Sequence, residues 1–298
     1  MRGQERWDQA RQAHDTDPAI MRGLTQPRFS RRDMLKYGGA GVLGLSALLS
    51  GWNHAVIAKV ATAMNVEIWS DVVCPWCYLG KRRFERAVAS FGHPDEVTVA
   101  YRSFELDPNA PPVVELGASE RLASKYGVSR ERAEQMHDHM TQLAAGEGLT
   151  FRFDRARSGN TFDAHRLLHL ARAHGLQSEL KERLMRAYFS EGEAIGDPDS
   201  LVRLASEVGL DSADVRMVLS ADAYAEDVRA DEREAAELGI QGVPFFVLDR
   251  RYGVSGAQPA DLLLQALEQA WAEAHPKRVL QPIGAPTEDV CTDESCSI

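Results

Sequence analysis

Along the chain, two stretches of strand-like apolar patterning flank a long run of helical spacing. Residues 66–69 (Val-Glu-Ile-Trp) alternate apolar and polar positions and predict a short strand. The chain then runs through Ser70-Asp71-Val72-Val73 into Cys74-Pro75-Trp76-Cys77. From Tyr78 to Phe91 the spacing is helical, with Phe84, Val88 and Phe91 on one face and Lys81, Arg82 and Arg83 on what reads as a solvated one. Gly92-His93-Pro94 ends this helix. Residues 97–104 are β-branched and aromatic and predict a second strand. A strand, a helix and a strand in that order predict two parallel strands joined by a right-handed crossover.

After a proline-rich loop from Asp107 to Pro112, more than a hundred residues read as helices. Their starts are expected near Ser119, Ser129, Thr161, Ser178, Asp199, Ser212 and Asp222, many of them with capping side chains. Several stop at glycine, as at Gly127, Gly175, Gly209 and Gly239. The sheet resumes at residues 245–248, just after Val243-Pro244. A turn at Asp249-Arg250-Arg251 leads to residues 252–255 and predicts a hairpin. A last helix runs from Pro259 to about Ala274, with Leu263, Leu267 and Trp271 as its apolar stripe. The order β-α-β, a helical block, then β-β-α predicts an α/β thioredoxin-like fold with a large helical insertion at about 105–240. The insertion is expected to cap one side of the sheet.

Charge divides the chain. The whole of its 298 residues carries a net charge of −10, but residues 1–63 are net positive and residues 64–298 net negative, +4 against −14. The basic segment holds Ser30-Arg31-Arg32-Asp33-Met34-Leu35-Lys36, which resembles a twin-arginine export signal with Met34 where phenylalanine is usual. An uncharged run from Tyr37 to Trp52 follows, suited to a signal h-region and short for a bilayer span. Ala61-Thr62-Ala63 offers a cleavage site. Leu49-Ser50-Gly51 resembles the start of a lipobox, but Trp52 stands where the lipid-bearing cysteine would have to be. Residues 1–63 thus read as a leader directing export to the cell envelope. The alternative is a cytoplasmic product whose translation starts at Met64. Residues 64–275 form the predicted domain and 276–298 an acidic tail. The acidic balance speaks against nucleic acid as a partner, and no stable membrane span is expected.

The chemistry is expected at Cys74-Pro75-Trp76-Cys77, a dithiol between a strand and a helix. Cys74 would stand at the helix N-terminus, where unpaired N–H groups and the helix dipole favour a thiolate. Pro75 suits the first turn, where a missing N–H costs nothing. As a structural staple the pair would contribute roughly 2 kcal/mol, because its loop is so short. A chain of this size has little need of it. Redox exchange, metal binding and a structural role are the three readings, and the dithiol's placement favours the first.

Residues 66–81, from Val66 through the Cys-Pro-Trp-Cys segment to Lys81, resemble the opening of the DsbA family, in particular its FrnE-like branch. Gly242-Val243-Pro244-Phe245-Phe246 resembles the family's second motif, and Asn160-Thr161-Phe162-Asp163-Ala164-His165-Arg166 a segment of its helical insertion. The resemblance covers about residues 65–275. It implies a thioredoxin fold, dithiol–disulfide exchange with thiol or disulfide proteins as substrates, and a cis peptide bond at Val243–Pro244 beside the dithiol. A cis proline without an N–H leaves a backbone edge free for an extended substrate strand. Cys74 is expected to be the exposed nucleophile and Cys77 the more buried resolving thiol, with Pro75, Trp76, Val243 and Pro244 around them and neither cofactor nor metal required. A further alternative is a glutathione-dependent isomerase of the related 2-hydroxychromene-2-carboxylate type, a branch that generally replaces the dithiol; the dithiol here favours the oxidoreductase.

The other two cysteines, Cys291 and Cys296, form a Cys-x4-Cys pair in the tail. They read as an electron shuttle to the first pair, as incidental thiols, or as half of a four-thiolate zinc site in a zinc-binding or redox-sensing protein. Of the histidines, His137 and His139 fall on different faces of a charged helix and are expected to be exposed. His165 and His169 share a face but lack a third ligand for a metal, and His165 is expected to be packed or hydrogen-bonded near the domain interface.

Overall fold

The computed structural model describes residues 63–276 apart from Glu115. The leader motif and the tail pair Cys291 and Cys296 lie outside the described residues.

Four strands form one mixed sheet in the order β2-β1-β3-β4. Strand β1 (Met64–Ser70) and strand β2 (Val97–Ser103) are parallel, in register from Met64 opposite Val97 to Ser70 opposite Ser103. Helix α1 (Pro75–Ser90) makes the crossover between them. Strand β3 (Phe245–Leu248) runs antiparallel to β1, with Phe246 opposite Ile68, and β4 (Tyr252–Ser255) closes the hairpin. The hairpin turn has Asp249 and Arg250 at φ of 47° and 56°, a left-handed pair that matches the strands' own twist.

Alternation along β1 assigns its two faces. Met64, Val66 and Ile68 join Phe84 of α1, Phe246 of β3, and Leu263 and Leu267 of the last helix, α9 (Ala260–Ala274), in one apolar cluster. On the other face Trp69 packs with Val247 and with Ala235 and Ile240.

The helices between β2 and β3 are α2 (Ala118–Tyr126), α3 (Arg130–Gly146), α4 (Phe162–Ala173), α5 (Gln177–Arg186), α6 (Pro198–Glu207), α7 (Ser212–Ser220) and α8 (Ala225–Glu237). A π-helical turn at Ala187–Glu191 continues α5. Several starts follow from capping side chains. Ser129 Oγ accepts the N–H of Arg132 at 3.2 Å, and Asp197 accepts that of Ser200 at 2.9 Å. The helix expected near Asp222 begins at Ala225 instead, because Tyr224 takes a left-handed conformation with φ of 61°. The open edge of β2 is covered by one side chain. The Gln177 amide accepts the N–H of Tyr101 and donates to its carbonyl, both at 2.9 Å, as a neighbouring strand would.

Two expectations about the surface fail. Lys81 is buried rather than solvated: Glu85 at 2.5 Å and Glu182 of α5 at 2.7 Å neutralise it there. His137 is half-buried, stacked on Phe153 with ring centres 4.1 Å apart and hydrogen-bonded to Ser119. Among the described residues no helix is long and apolar enough to cross a membrane.

Candidate active site

The end of β1 and the start of α1 place the dithiol. Ser70 closes the strand, and Asp71 begins the turn that carries the chain to Cys74. Oδ1 of Asp71 accepts the N–H of Val73 within that turn at 3.5 Å. Oδ2 accepts the N–H of Leu106 at 2.8 Å, and Oδ1 lies 3.4 Å from Nε2 of His165 on α4. Asp71 and His165 are each 1% exposed. Burial alone would raise the Asp71 pKa, but His165, the Leu106 N–H and the positive Lys181 together hold it below the ordinary carboxylate range. Burial pushes the His165 pKa down, against the pull of Asp71.

Cys74 occupies the N-cap of α1, in an extended conformation, with Pro75 following in the first turn. Its carbonyl accepts the N–H of Cys77 at 3.1 Å and that of Tyr78 at 3.3 Å. The two cysteines are free thiols one helical turn apart. The Cys74 thiol donates to the carbonyl of Val243 at 3.7 Å, and the Val243–Pro244 peptide bond is cis. Sequence-distant Val243 and Pro244 therefore stand directly beside the dithiol. This approach depends on Gly80 of α1. A Cβ on that residue would lie 2.8 Å from Cγ of Pro244, inside any real contact, so a side chain there would push the proline segment off the helix.

Cys74 is not exposed as expected. It is 4% exposed and Cys77 2%. Both cysteines belong to the apolar cluster of the helical cap, together with Val72, Leu79, Leu167 and Leu184, and half-buried Trp76 packs against that cluster. The cap does more than flank the sheet: it encloses both sulfurs. Burial pushes the Cys77 thiol well up from its ordinary pKa, and a negative Cys74 beside it pushes further in the same direction. Lys181 opposes both.

Sequence reasoning missed Lys181, which lies on α5 and is completely buried. A signal was available. The helix buries Gln177, Leu180, Leu184 and Met185, and Lys181 falls within that stripe rather than opposite it. His165 and His169 do share the inner face of α4 but take separate carboxylates, Asp71 at 3.4 Å and Asp231 at 3.1 Å. Among the described residues no group of three or more His, Cys, Asp or Glu side chains is placed to hold a metal ion.

A four-stranded sheet with a dithiol at the start of the crossover helix and a cis proline against it defines a thioredoxin-fold dithiol protein. The DSBA-like thioredoxin domain model matches residues 65–268. The chain belongs to that family and with it to the thiol–disulfide oxidoreductases. It is 48% identical to a probable DsbA oxidoreductase from Streptomyces coelicolor, whose crystal structure superposes with a TM-score of 0.68 over 79% of this chain and 99% of that one. It is 28% identical over 207 residues to the uncharacterised protein YwbO of Bacillus subtilis, across 68% of this chain and 96% of that protein. The fold is also shared with the cytosolic disulfide reductase DsbM of Pseudomonas aeruginosa, at 19% identity and a TM-score of 0.50, covering 69% and 97% of the two chains.

Proposed function

We propose that the protein exchanges disulfides with protein substrates through Cys74 as nucleophile and Cys77 as resolving thiol, as a member of the FrnE-like branch. The observation that carries this reading is the position of Cys74. It caps α1, with its sulfur 3.7 Å from the carbonyl that precedes the cis proline. The thiolate of Cys74 attacks a substrate disulfide, forms a mixed disulfide and releases one substrate sulfur as thiolate. Cys77 then attacks the Cys74 sulfur and releases the second, leaving Cys74 and Cys77 joined. Run in reverse, the same steps oxidise a substrate dithiol. As a thiolate, Cys74 no longer donates to Val243, so that carbonyl becomes free to meet the backbone of an extended substrate.

The tail pair Cys291 and Cys296 belongs to this reading as a second dithiol that passes electrons to or from the first. It is supported by the fall of all four cysteines into two close pairs. The twin-arginine-like leader supports export to the cell envelope as the place of action.

A turnover assay of insulin disulfide reduction on the full chain tests the proposal. Cys74→Ser should reduce the rate to background, and Cys77→Ser should accumulate mixed disulfide. The Cys291→Ser/Cys296→Ser protein should keep its single-turnover rate and lose steady-state turnover severalfold. Full activity in Cys74→Ser would overturn the assignment of the nucleophile, and unchanged turnover in the tail variant would overturn the shuttle.

A further inference from the structure

Helix α5 places a lysine where its buried stripe calls for an apolar residue. Lys181 is 0% exposed, like Leu180, Leu184 and Met185 around it. Its Nζ donates to the carbonyl of Ser70, the last residue of β1, at 3.0 Å, and sits 5.7 Å from the centre of the Tyr101 ring. Among the described residues no carboxylate lies within 4.0 Å of it as an ion-pair partner. The contrast with Lys81, 4% exposed, is direct, because Lys81 has two carboxylates. A buried ammonium without a carboxylate is a costly arrangement, since one neutral carbonyl replaces little of its hydration.

The groups around Lys181 show what could supply the missing negative charge. From the turn after β1 comes Asp71, a carboxylate that Lys181 itself helps hold ionised, which lies beyond ion-pair distance and keeps its charge during exchange. From α1 come Cys74, Cys77 and Lys81, and the charge of Lys81 is taken by Glu85 and Glu182. From α4 comes His165. Only the two sulfurs change charge during disulfide exchange.

We propose that Lys181 is a positioning residue for the exchange, its ammonium being the counter-charge against which the buried Cys77 thiol ionises to resolve the mixed disulfide. The inference rests on the dithiol mechanism given above. In the step concerned, the S–H bond of Cys77 breaks and its sulfur bonds to that of Cys74. The bond from Cys74 to the substrate sulfur breaks, and the outgoing thiolate takes up the proton. The Cys77 sulfur is oxidised to the disulfide level as the substrate sulfur is reduced to a thiol, which completes the two-electron oxidation of the Cys74–Cys77 dithiol, and Lys181 keeps its charge throughout. Cys77 needs such help because burial and a neighbouring negative sulfur both oppose its ionisation. Burial also brings the Lys181 ammonium down to about 8, so it is mostly charged at neutral pH and loses its charge above that value.

The test uses the full chain with Cys291→Ser and Cys296→Ser, to isolate the first dithiol. Reduced protein is mixed with oxidised glutathione, quenched in acid and read by mass spectrometry. Formation of the mixed disulfide reports the attack by Cys74, and its decay reports the resolution by Cys77. Lys181→Met should slow resolution about tenfold at pH 7 and raise the pH midpoint of resolution by about one unit, which is the same tenfold expressed on the pH scale. Attack should change less than about threefold. Lys181→Gln keeps a donor for the Ser70 carbonyl but no charge. It should behave as Lys181→Met does, and it carries the test if the methionine variant does not fold. A resolution rate and pH midpoint matching the parent in either folded variant would overturn the role of the charge. If the parent forms no mixed disulfide at Cys74, the mechanism itself fails, a result distinct from the failure of Lys181.

Discussion

The two faces of β1 are built from different chemistry. Toward α1 and α9, Met64, Val66 and Ile68 join a cluster of apolar side chains. Toward the cap, Glu67 and Asp71 alternate with Trp69, and Arg102, Asp231, His165 and His169 are buried or half-buried among them. The apolar face needs only volume and shape, and its contribution scales with the area removed from water. The polar face needs each partner in place. Asp231 accepts from the Ser103 N–H at 2.8 Å and from Arg102 at 2.9 Å, and meets His169 at 3.1 Å, while Glu67 takes the Arg102 Nε at 2.8 Å and Arg250 at 2.6 Å. Such a network adds little net stability compared with an apolar packing of the same volume. It is nevertheless intolerant of losing one member, because the rest are left buried and unpaired. The dithiol stands at the end of the polar face, where charges already held in the interior can act on it.

Deleting one polar partner should have the largest effect on this contrast. Asp231→Ala leaves the Ser103 N–H and one Arg102 nitrogen without their acceptor and takes the carboxylate from His169, and is expected to cost roughly 3–5 kcal/mol in urea unfolding. Replacing Arg102 by Met in the same protein should recover part of that loss, since the half-paired guanidinium goes with it while Glu67 keeps Arg250. If Asp231→Ala cost less than about 1 kcal/mol, the polar face would not be the interdependent network described.

On the apolar face, Leu267→Ala removes a fully buried side chain from α9 and should cost roughly 2–5 kcal/mol, according to how far the cluster collapses around the gap. Its effect should end there. The reduction potential of Cys74–Cys77, measured against a glutathione buffer, is expected to stay at the parent value, because the leucine shares no cluster with the sulfurs. A displaced potential would show that the two faces are coupled.

The same division decides what could be read in the sequence. The order of elements, the parallel pair, the hairpin, the α9 stripe and most helix starts were legible, because periodicity and capping residues are local signals. So was the meeting of Cys74–Cys77 with Val243–Pro244, through the family resemblance rather than through any local pattern. The buried charges were only partly legible. Lys181 falls in the apolar stripe of α5 and Glu85 stands one helical turn from Lys81, but only the fold brings Glu182 to one lysine and the end of β1 to the other. The exposure of Cys74 was misjudged for a related reason. The residues that cover it come from helices a hundred positions further on, and spacing does not carry such contacts.

A smaller effect tests whether the polar face really holds its charges against the pull of water. Glu105, just beyond β2, has a fully buried side chain. One oxygen meets Arg229 at 2.6 Å, and the other has no hydrogen-bond partner. Burial raises its pKa most, the neighbouring Glu232 adds to this, and Arg229 opposes both, leaving it at about 7. Since that value lies above the ordinary 4.5, the folded protein holds this proton over a range in which the unfolded chain has released it. The contribution of Glu105 to stability therefore falls as pH rises from about 4.5 to about 7 and stays low beyond. Glu105→Gln cannot titrate. Between pH 5 and pH 8 the parent should lose on the order of 1 kcal/mol more unfolding free energy than the glutamine variant, the Arg229 contact being partly solvated. Parallel stability–pH curves for the two proteins would mean that Glu105 ionises as it does in water, and that the polar face is more open to solvent than its packing implies.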